Sequence, residues 1–176
     1  ELLDRFEEEL VAAMGARADE MRERGRALPG AHAALERLAA EPGVIQSLLT
    51  GNVERTALIK LSVFGLARHV DFAAGAYGSD HRRRGELVGI ARRRAEERHG
   101  TRVAPGDVVL IGDTPLDVAA AREGGARAVA VASGPYGRTA LMDAGADSVL
   151  ADLTDTEAVV REVLVHGSDR ARRASA

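Results

Sequence analysis

The chain has no cysteine and no tryptophan, and Lys60 is the only lysine among 24 basic residues. Without cysteine there is no disulfide framework, no thiol nucleophile and no cysteine-ligated zinc, a usage that fits a reducing compartment. With lysine nearly missing, any catalytic cation is expected to be an arginine. No apolar stretch approaches the ~20 residues that a membrane-crossing helix needs. The opening Glu1-Leu2-Leu3-Asp4-Arg5-Phe6-Glu7-Glu8-Glu9-Leu10 is acidic where a secretory leader carries a basic region. The expectation is a cytoplasmic protein with no membrane partner. A net charge of -3 and a pI near 6.0 offer no whole-molecule attraction to nucleic acid, so none is expected as a partner. The phosphate loop G-x-x-x-x-G-K-[ST], a G-x-G-x-x-G after a strand, H-E-x-x-H and the G-x-S-x-G elbow are all missing.

What is present is an ordinary globular composition: 176 residues, 45% of them hydrophobic, enough for one packed domain with a small appendage. Leu3, Phe6, Leu10, Ala13 and Met14 recur at helical spacing in a charged segment that the Leu28-Pro29-Gly30 break closes off. Beyond it the pattern alternates. Strands are predicted at 44–49, 73–77, 107–112, 127–132 and 147–150, and helices at 31–40, 53–64, 85–98, 115–123, 137–144 and 155–165. Such alternation predicts an α/β fold, a parallel sheet with helices on both faces. Thr154-Asp155-Thr156-Glu157 has capping-box spacing for the last helix. Residues 166–176 are polar, aperiodic and read as a frayed tail.

Two strand ends carry the chemistry. The run Val108-Val109-Leu110-Ile111 leads into Gly112-Asp113-Thr114-Pro115-Leu116-Asp117, delivering two carboxylates to the carboxyl end of a buried strand, where open α/β sheets bind ligands. Magnesium takes one or two carboxylates together with substrate phosphate, so Asp113 and Asp117 are candidate metal ligands. The bland alternative has Asp113 capping the helix and Asp117 favoured by its dipole. The run Val44 to Leu49 ends in Thr50-Gly51-Asn52, whose hydroxyl and backbone N–H groups suit an oxyanion; its alternative is a plain turn with Asn52 as the cap. Near a third strand end, Asp80-His81-Arg82-Arg83-Arg84 offers a cation that would neutralise developing phosphate charge. Arg92, Arg93 and Arg94 read instead as a solvated helix face.

These segments together resemble the haloacid-dehalogenase-like superfamily, in its phosphoglycolate-phosphatase-like branch with a helical cap. Ala132-Ser133-Gly134 and Ala144-Gly145-Ala146-Asp147 are similar to that branch as well. The resemblance implies a Rossmann-like core over 28–165, with 1–27 the tail of the cap. It also implies a magnesium-dependent phosphatase that works through an aspartyl-phosphate. Carried over, Thr50, Gly51 and Asn52 would bind the phosphoryl group. Arg84 would stand where lysine is usual, with Arg82 and Arg83 as fallbacks. Asp113 would ligate Mg2+, and Asp117 would support the metal or the cation. A guanidinium fork is not a point charge, so phosphate geometry would differ there.

The family's first motif, an Asp-x-Asp pair after a first strand, has no counterpart: no two aspartates stand two apart in this sequence. In the family that strand lies mid-sheet, between the strands at 44–49 and 107–112. Its loss implies a gap of roughly 10 Å with unpaired backbone on both sides. The resulting expectation is the C-terminal part of a phosphatase for a small phosphorylated metabolite, phosphoglycolate being the nearest association, with the chain inactive by itself. A phosphomutase is the alternative within enzymes. Outside them, the alternative is an inactive phosphate- or metal-binding or regulatory module. Oligomeric state is not legible.

Overall fold

The computed structural model describes residues 2–165, so the tail expected over 166–176 lies outside the described residues. Three short strands, β1 (Val109–Gly112), β2 (Arg127–Val131) and β3 (Ser148–Leu150), form a parallel sheet in that order. Parallel neighbours require a crossover. α6 (Pro115–Glu123) supplies it between β1 and β2, and α7 (Arg138–Asp143) between β2 and β3. Every residue of β2 is buried, the signature of a strand covered on both faces. On one face Ala128, Ala130 and Val149 pack against Val118 and Ala121 of α6, Leu141 of α7 and Val88 of α5 (Arg84–His99). On the other, Ala34 and Leu38 of α3 (Ala31–Ala39) meet Val159 and Val160 of α8 (Thr156–Leu164), with Leu150 and Val44 alongside. The α/β architecture expected from the alternation is therefore present.

Two of the expected strands are reduced. Segments 44–49 and 73–77 meet at a single parallel bridge, Leu49 to Ala76. The Ala76 N–H donates to the Leu48 carbonyl at 2.9 Å, and the Thr50 N–H donates to the Ala76 carbonyl at 3.1 Å. The cause lies in Asp71, whose side chain accepts from the Ala73 N–H at 3.1 Å and turns Phe72–Ala74 into a 3-10 helix. This two-segment ribbon makes no backbone hydrogen bond to β1. Between them lies a cavity of about 370 Å³, lined by Val44, Ile45, Ser47 and Leu48 on one side and Val108 to Leu110 on the other. This cavity is compatible with the gap that the resemblance implies.

The single helix expected at the start is two, α1 (Leu2–Ala16) and α2 (Ala18–Arg24), broken at Arg17. Gly15 just before the break weakens helical continuity. Both helices pack on α4 (Glu54–Val63). Gly25, after α2, lies so close to the Phe64 ring that a Cβ there would stand 2.7 Å from Cζ. The expected capping box before α8 also differs. Asp155 caps instead, accepting from the Ala158 N–H at 3.0 Å, while the Thr154 hydroxyl donates to Asp152 Oδ1 at 2.6 Å.

Candidate active site

Thr50 ends its extended segment with its hydroxyl oxygen accepting from Asn52, from the backbone N–H at 3.2 Å and the side-chain amide at 2.9 Å. Asn52 therefore folds back on Thr50 and does not cap α4, whose N-cap is Val53. The Thr50 hydroxyl keeps its own proton for an acceptor beyond the loop. The Asn52 carbonyl accepts from the Gly78 N–H at 3.0 Å, which ties this loop to the next one. A Cβ on Gly78 would overlap the Gly51 carbonyl, so only glycine lets the two backbones approach this closely.

The second loop is held from below. Asp80 accepts from the Tyr77 N–H at 2.8 Å and receives both Nη atoms of Arg94 at 2.7 Å each. Arg94 Nη1 also donates to the Gly75 carbonyl at 2.6 Å. Hydrogen bonding from Arg94 holds the Asp80 carboxyl below its usual range, and the same bond pushes the guanidinium up. Arg94 is thus no solvated face residue. Its fork partner is 14 positions away, a separation with no local pattern to announce it.

Of the three arginines in this loop, Arg84 reaches the next strand end. As the first residue of α5, it places Nη2 3.0 Å from Asp117 Oδ1, with its Nε buried and, among the described residues, without a hydrogen-bond partner. Arg83 is exposed and stands 3.9 Å from Glu86, and Arg82 is exposed. His81 accepts from the Arg83 N–H at 3.1 Å and shapes the turn.

At the third strand end Thr114 caps α6 in a reciprocal box with Asp117. The Thr114 hydroxyl accepts from the Asp117 N–H at 3.2 Å, and Asp117 Oδ2 accepts from the Thr114 N–H at 3.1 Å and hydroxyl at 2.8 Å. Asp117 thus has one oxygen on Arg84 and the other on Thr114. Neither bland alternative describes this turn fully, since Thr114 is the cap and Asp113 is not. Asp113 is half-buried, and among the described residues no hydrogen bond or ion pair engages its carboxylate. Gly134, from the loop after β2, lies against that carboxylate, so a Cβ there would overlap Asp113 Oδ2 and displace it.

This donor set bears on magnesium. A free, partly buried carboxylate at a strand end is a suitable hard ligand, and Asp113 is one. Asp117 is already engaged, and among the described residues no three His, Cys, Asp or Glu side chains converge on one point. Asp113 fits a metal that takes its other ligands from water and substrate.

Residues 84–156 match the family model described as HAD-hydrolase-like. Solved structures share the fold. A protein designated a β-phosphoglucomutase from Thermotoga maritima is 24% identical with a TM-score of 0.63, over 82% of this chain and 64% of that one. A second so designated, from Bacteroides vulgatus, is 21% identical with a TM-score of 0.64, over 89% of this chain and 63% of that one. A haloacid-dehalogenase-like protein of unknown function from Agrobacterium tumefaciens is 22% identical with a TM-score of 0.61, over 84% of this chain and 66% of that one. No curated protein matches the chain. The chain spans about two thirds or less of the length of each of these solved structures. Residues 84–156 are thus similar in sequence to the HAD-like hydrolase family, and the fold is shared with these solved structures. No described helix is long and apolar enough to cross a membrane.

Proposed function

We propose that this chain is the phosphoryl-handling part of a magnesium-dependent phosphatase for a small phosphomonoester. The observation that supports this reading best is the Arg84 to Asp117 pair at 3.0 Å, which joins two strand-end loops. The Gly78 to Asn52 bond adds the Thr50 loop to the same edge. The edge then offers a hydroxyl, backbone N–H groups, a fixed guanidinium and a free carboxylate, the components that position and neutralise a transferring phosphoryl group. Thr50, Gly51 and Asn52 would hold the non-reacting oxygens. Arg84, kept in place by Asp117, would offset charge as the leaving oxygen departs. Asp113 would hold Mg2+, whose contribution is to neutralise phosphate charge. In this reading residues 1–27 belong to a cap over the site and 28–165 to the core.

The nucleophile of an aspartyl-phosphate mechanism would be an aspartate outside residues 2–165, so the isolated chain is expected to bind phosphate without turning substrate over. The test is magnesium-dependent phosphate release from a panel of small phosphomonoesters, paired with phosphate binding by calorimetry. Binding that weakens in Arg84→Ala and Thr50→Ala, with no release, supports the reading. Release at enzymatic rates would place the nucleophile within the chain. No phosphate binding at all would remove the phosphoryl assignment. Transfer to a second hydroxyl of the substrate, in place of water, would make the activity that of a mutase.

A further inference from the structure

A second cluster of charged and titratable side chains stands at the opposite end of the two-segment ribbon from Thr50. There the Asp71 N–H donates to the Gln46 carbonyl at 2.8 Å, and extended chain of about 13 Å separates that bond from the Thr50 loop. An open groove of about 580 Å³ lies at this end. Arg68 and His69 reach it from a 3-10 turn (Ala67–His69), and Arg98 and His99 from the last turn of α5. Asp71 is the only acid among its lining residues.

The hydrogen bonding here leaves donors over. Both Asp71 oxygens are engaged: Oδ1 accepts from the Ala73 N–H, and Oδ2 accepts from Arg98 Nε at 2.7 Å and lies 2.8 Å from His99 Nε2. Arg98 is bonded through Nε alone, so among the described residues neither of its Nη groups has a partner. Arg68 repeats the pattern, its Nε donating to His69 Nε2 at 2.9 Å and its Nη groups unengaged. Accepting that bond places the His69 proton on Nδ1, a further donor. Offsetting the partial negative charge at the carboxyl end of α5 accounts for Arg98 and His99 but not for Arg68. A guanidinium with both Nη groups free presents a planar set of N–H donors that matches two oxygens of a carboxylate or phosphate. Two such sets border a groove whose remaining wall is largely apolar, with Val44, Ile45, Val70 and the half-buried Phe72.

We propose that this groove binds a small organic oxyanion, a carboxylate or phosphate carried on an apolar body. Arg68 and Arg98 take the oxygens through their Nη groups, and Phe72, Val70 and Ile45 cover the body. Asp71 is a positioning residue, since it holds Arg98 by Nε and leaves the other two nitrogens to the ligand. The groove shares no lining residue with the edge that carries Thr50, Arg84 and Asp113, so the site does not require the phosphatase reading.

The experiment titrates benzoate and phenyl phosphate into the isotope-labelled 176-residue chain, with benzyl alcohol as the neutral counterpart, and follows backbone amide shifts by NMR. Saturable shifts are expected at Arg68, His69, Asp71, Phe72, Arg98 and His99 with at least one of the two anions, and none with benzyl alcohol. The anion that binds more tightly identifies carboxylate or phosphate as the preferred headgroup. Arg68→Ala removes an exposed side chain bonded only to its neighbour, so the fold should tolerate it. Affinity should nevertheless fall at least about tenfold, the loss that goes with a charge-assisted hydrogen bond. Arg98→Lys keeps the charge but not the planar set of donors, and should weaken binding as well. Unshifted amides at these residues with both anions overturn the proposal. Equal affinity in Arg68→Ala and wild type, or equal shifts with benzyl alcohol, overturns it too. Phenyl phosphate shifts confined to Thr50, Gly51, Asn52 and Arg84 overturn it and leave the phosphatase reading standing. Shifts confined to the groove support it and count against the phosphoryl assignment alone.

Discussion

Arg84 and Asp117 form an ion pair at 3.0 Å in which the carboxylate is also half of the capping box of α6. One side chain thereby fixes a helix start and the direction of a cation. Gly112 makes this geometry possible, because a Cβ there would run into the Asp117 side chain. Asp117→Asn keeps a hydrogen-bonding side chain but loses the charge. It is expected to cost about 1 kcal/mol through the cap and to weaken phosphate binding by freeing Arg84. Urea unfolding and phosphate titration of the same variant check both. Arg84→Lys should leave stability near wild type and still lower phosphate affinity, since a single ammonium cannot reproduce the fork.

Gly134 sets the position of the free carboxylate. In Gly134→Ala the new methyl would meet Asp113 Oδ2, and the carboxylate must swing away. Gly134 lies in a partly exposed loop, so the fold should tolerate the change, with a Tm close to wild type. Magnesium affinity should fall severalfold, measured by calorimetry with Mg2+ alone. Unchanged affinity would remove Asp113 from the metal assignment.

Gly78→Ala tests the other close approach. Its Cβ would strike the Gly51 carbonyl, a backbone atom that cannot rotate aside. The loops must then part, at a cost of roughly 1–3 kcal/mol as in other overpacked sites. Loss of the Gly78 N–H bond to Asn52 should appear as faster exchange of that amide.

The fold was legible wherever a regular pattern reached the residues. β1, β2, β3 and the helices between them lie where alternation puts them, within the few residues by which capping and fraying move an element's end. Segments 44–49 and 73–77 read equally well as strands, yet the structure keeps one bridge, because strand assignment depends on a neighbour and one edge of this ribbon has none. Asp113, Asp117 and Thr50 stood out by their place after apolar runs, a local signal, whereas Arg84 was set apart from Arg82 and Arg83 only by the resemblance. Arg94 did not: its function comes from Asp80, 14 residues earlier, and a triplet of arginines looks the same whether solvated or forked. Gly112 and Gly134 were also silent, since a glycine required by a neighbouring side chain is visible only once that neighbour is placed.

Tyr77 offers a separate check on packing around the second loop. Burial pushes its phenol up to about 12, and its hydroxyl donates to the Phe72 carbonyl at 2.6 Å. Tyr77→Phe leaves that carbonyl without its partner and is expected to cost about 1–2 kcal/mol. Chemical denaturation measures the loss, which should not alter phosphate binding, because the hydroxyl faces the 3-10 turn and not the site.

The Asp80 to Arg94 fork predicts how stability depends on pH. The fork and the Tyr77 N–H hold Asp80 below its usual 3.8 in the folded state, whereas in the unfolded chain it returns to that value. A depressed carboxylate stabilises fully above the unfolded value and stops doing so as pH falls through the folded one. The wild type should therefore lose stability below about pH 4. Asp71 acts in the same direction: burial pulls its carboxyl up, but hydrogen bonds from His99 and Arg98 outweigh this and hold it lower. Asp80→Asn removes one titrating group, so its stability should fall less steeply over the acid range, although it starts lower at neutral pH. Denaturation midpoints of both proteins across that range decide the matter. Parallel slopes would mean that the fork is not what acid breaks, and the loop carrying Arg84 would then be held chiefly by its backbone bonds.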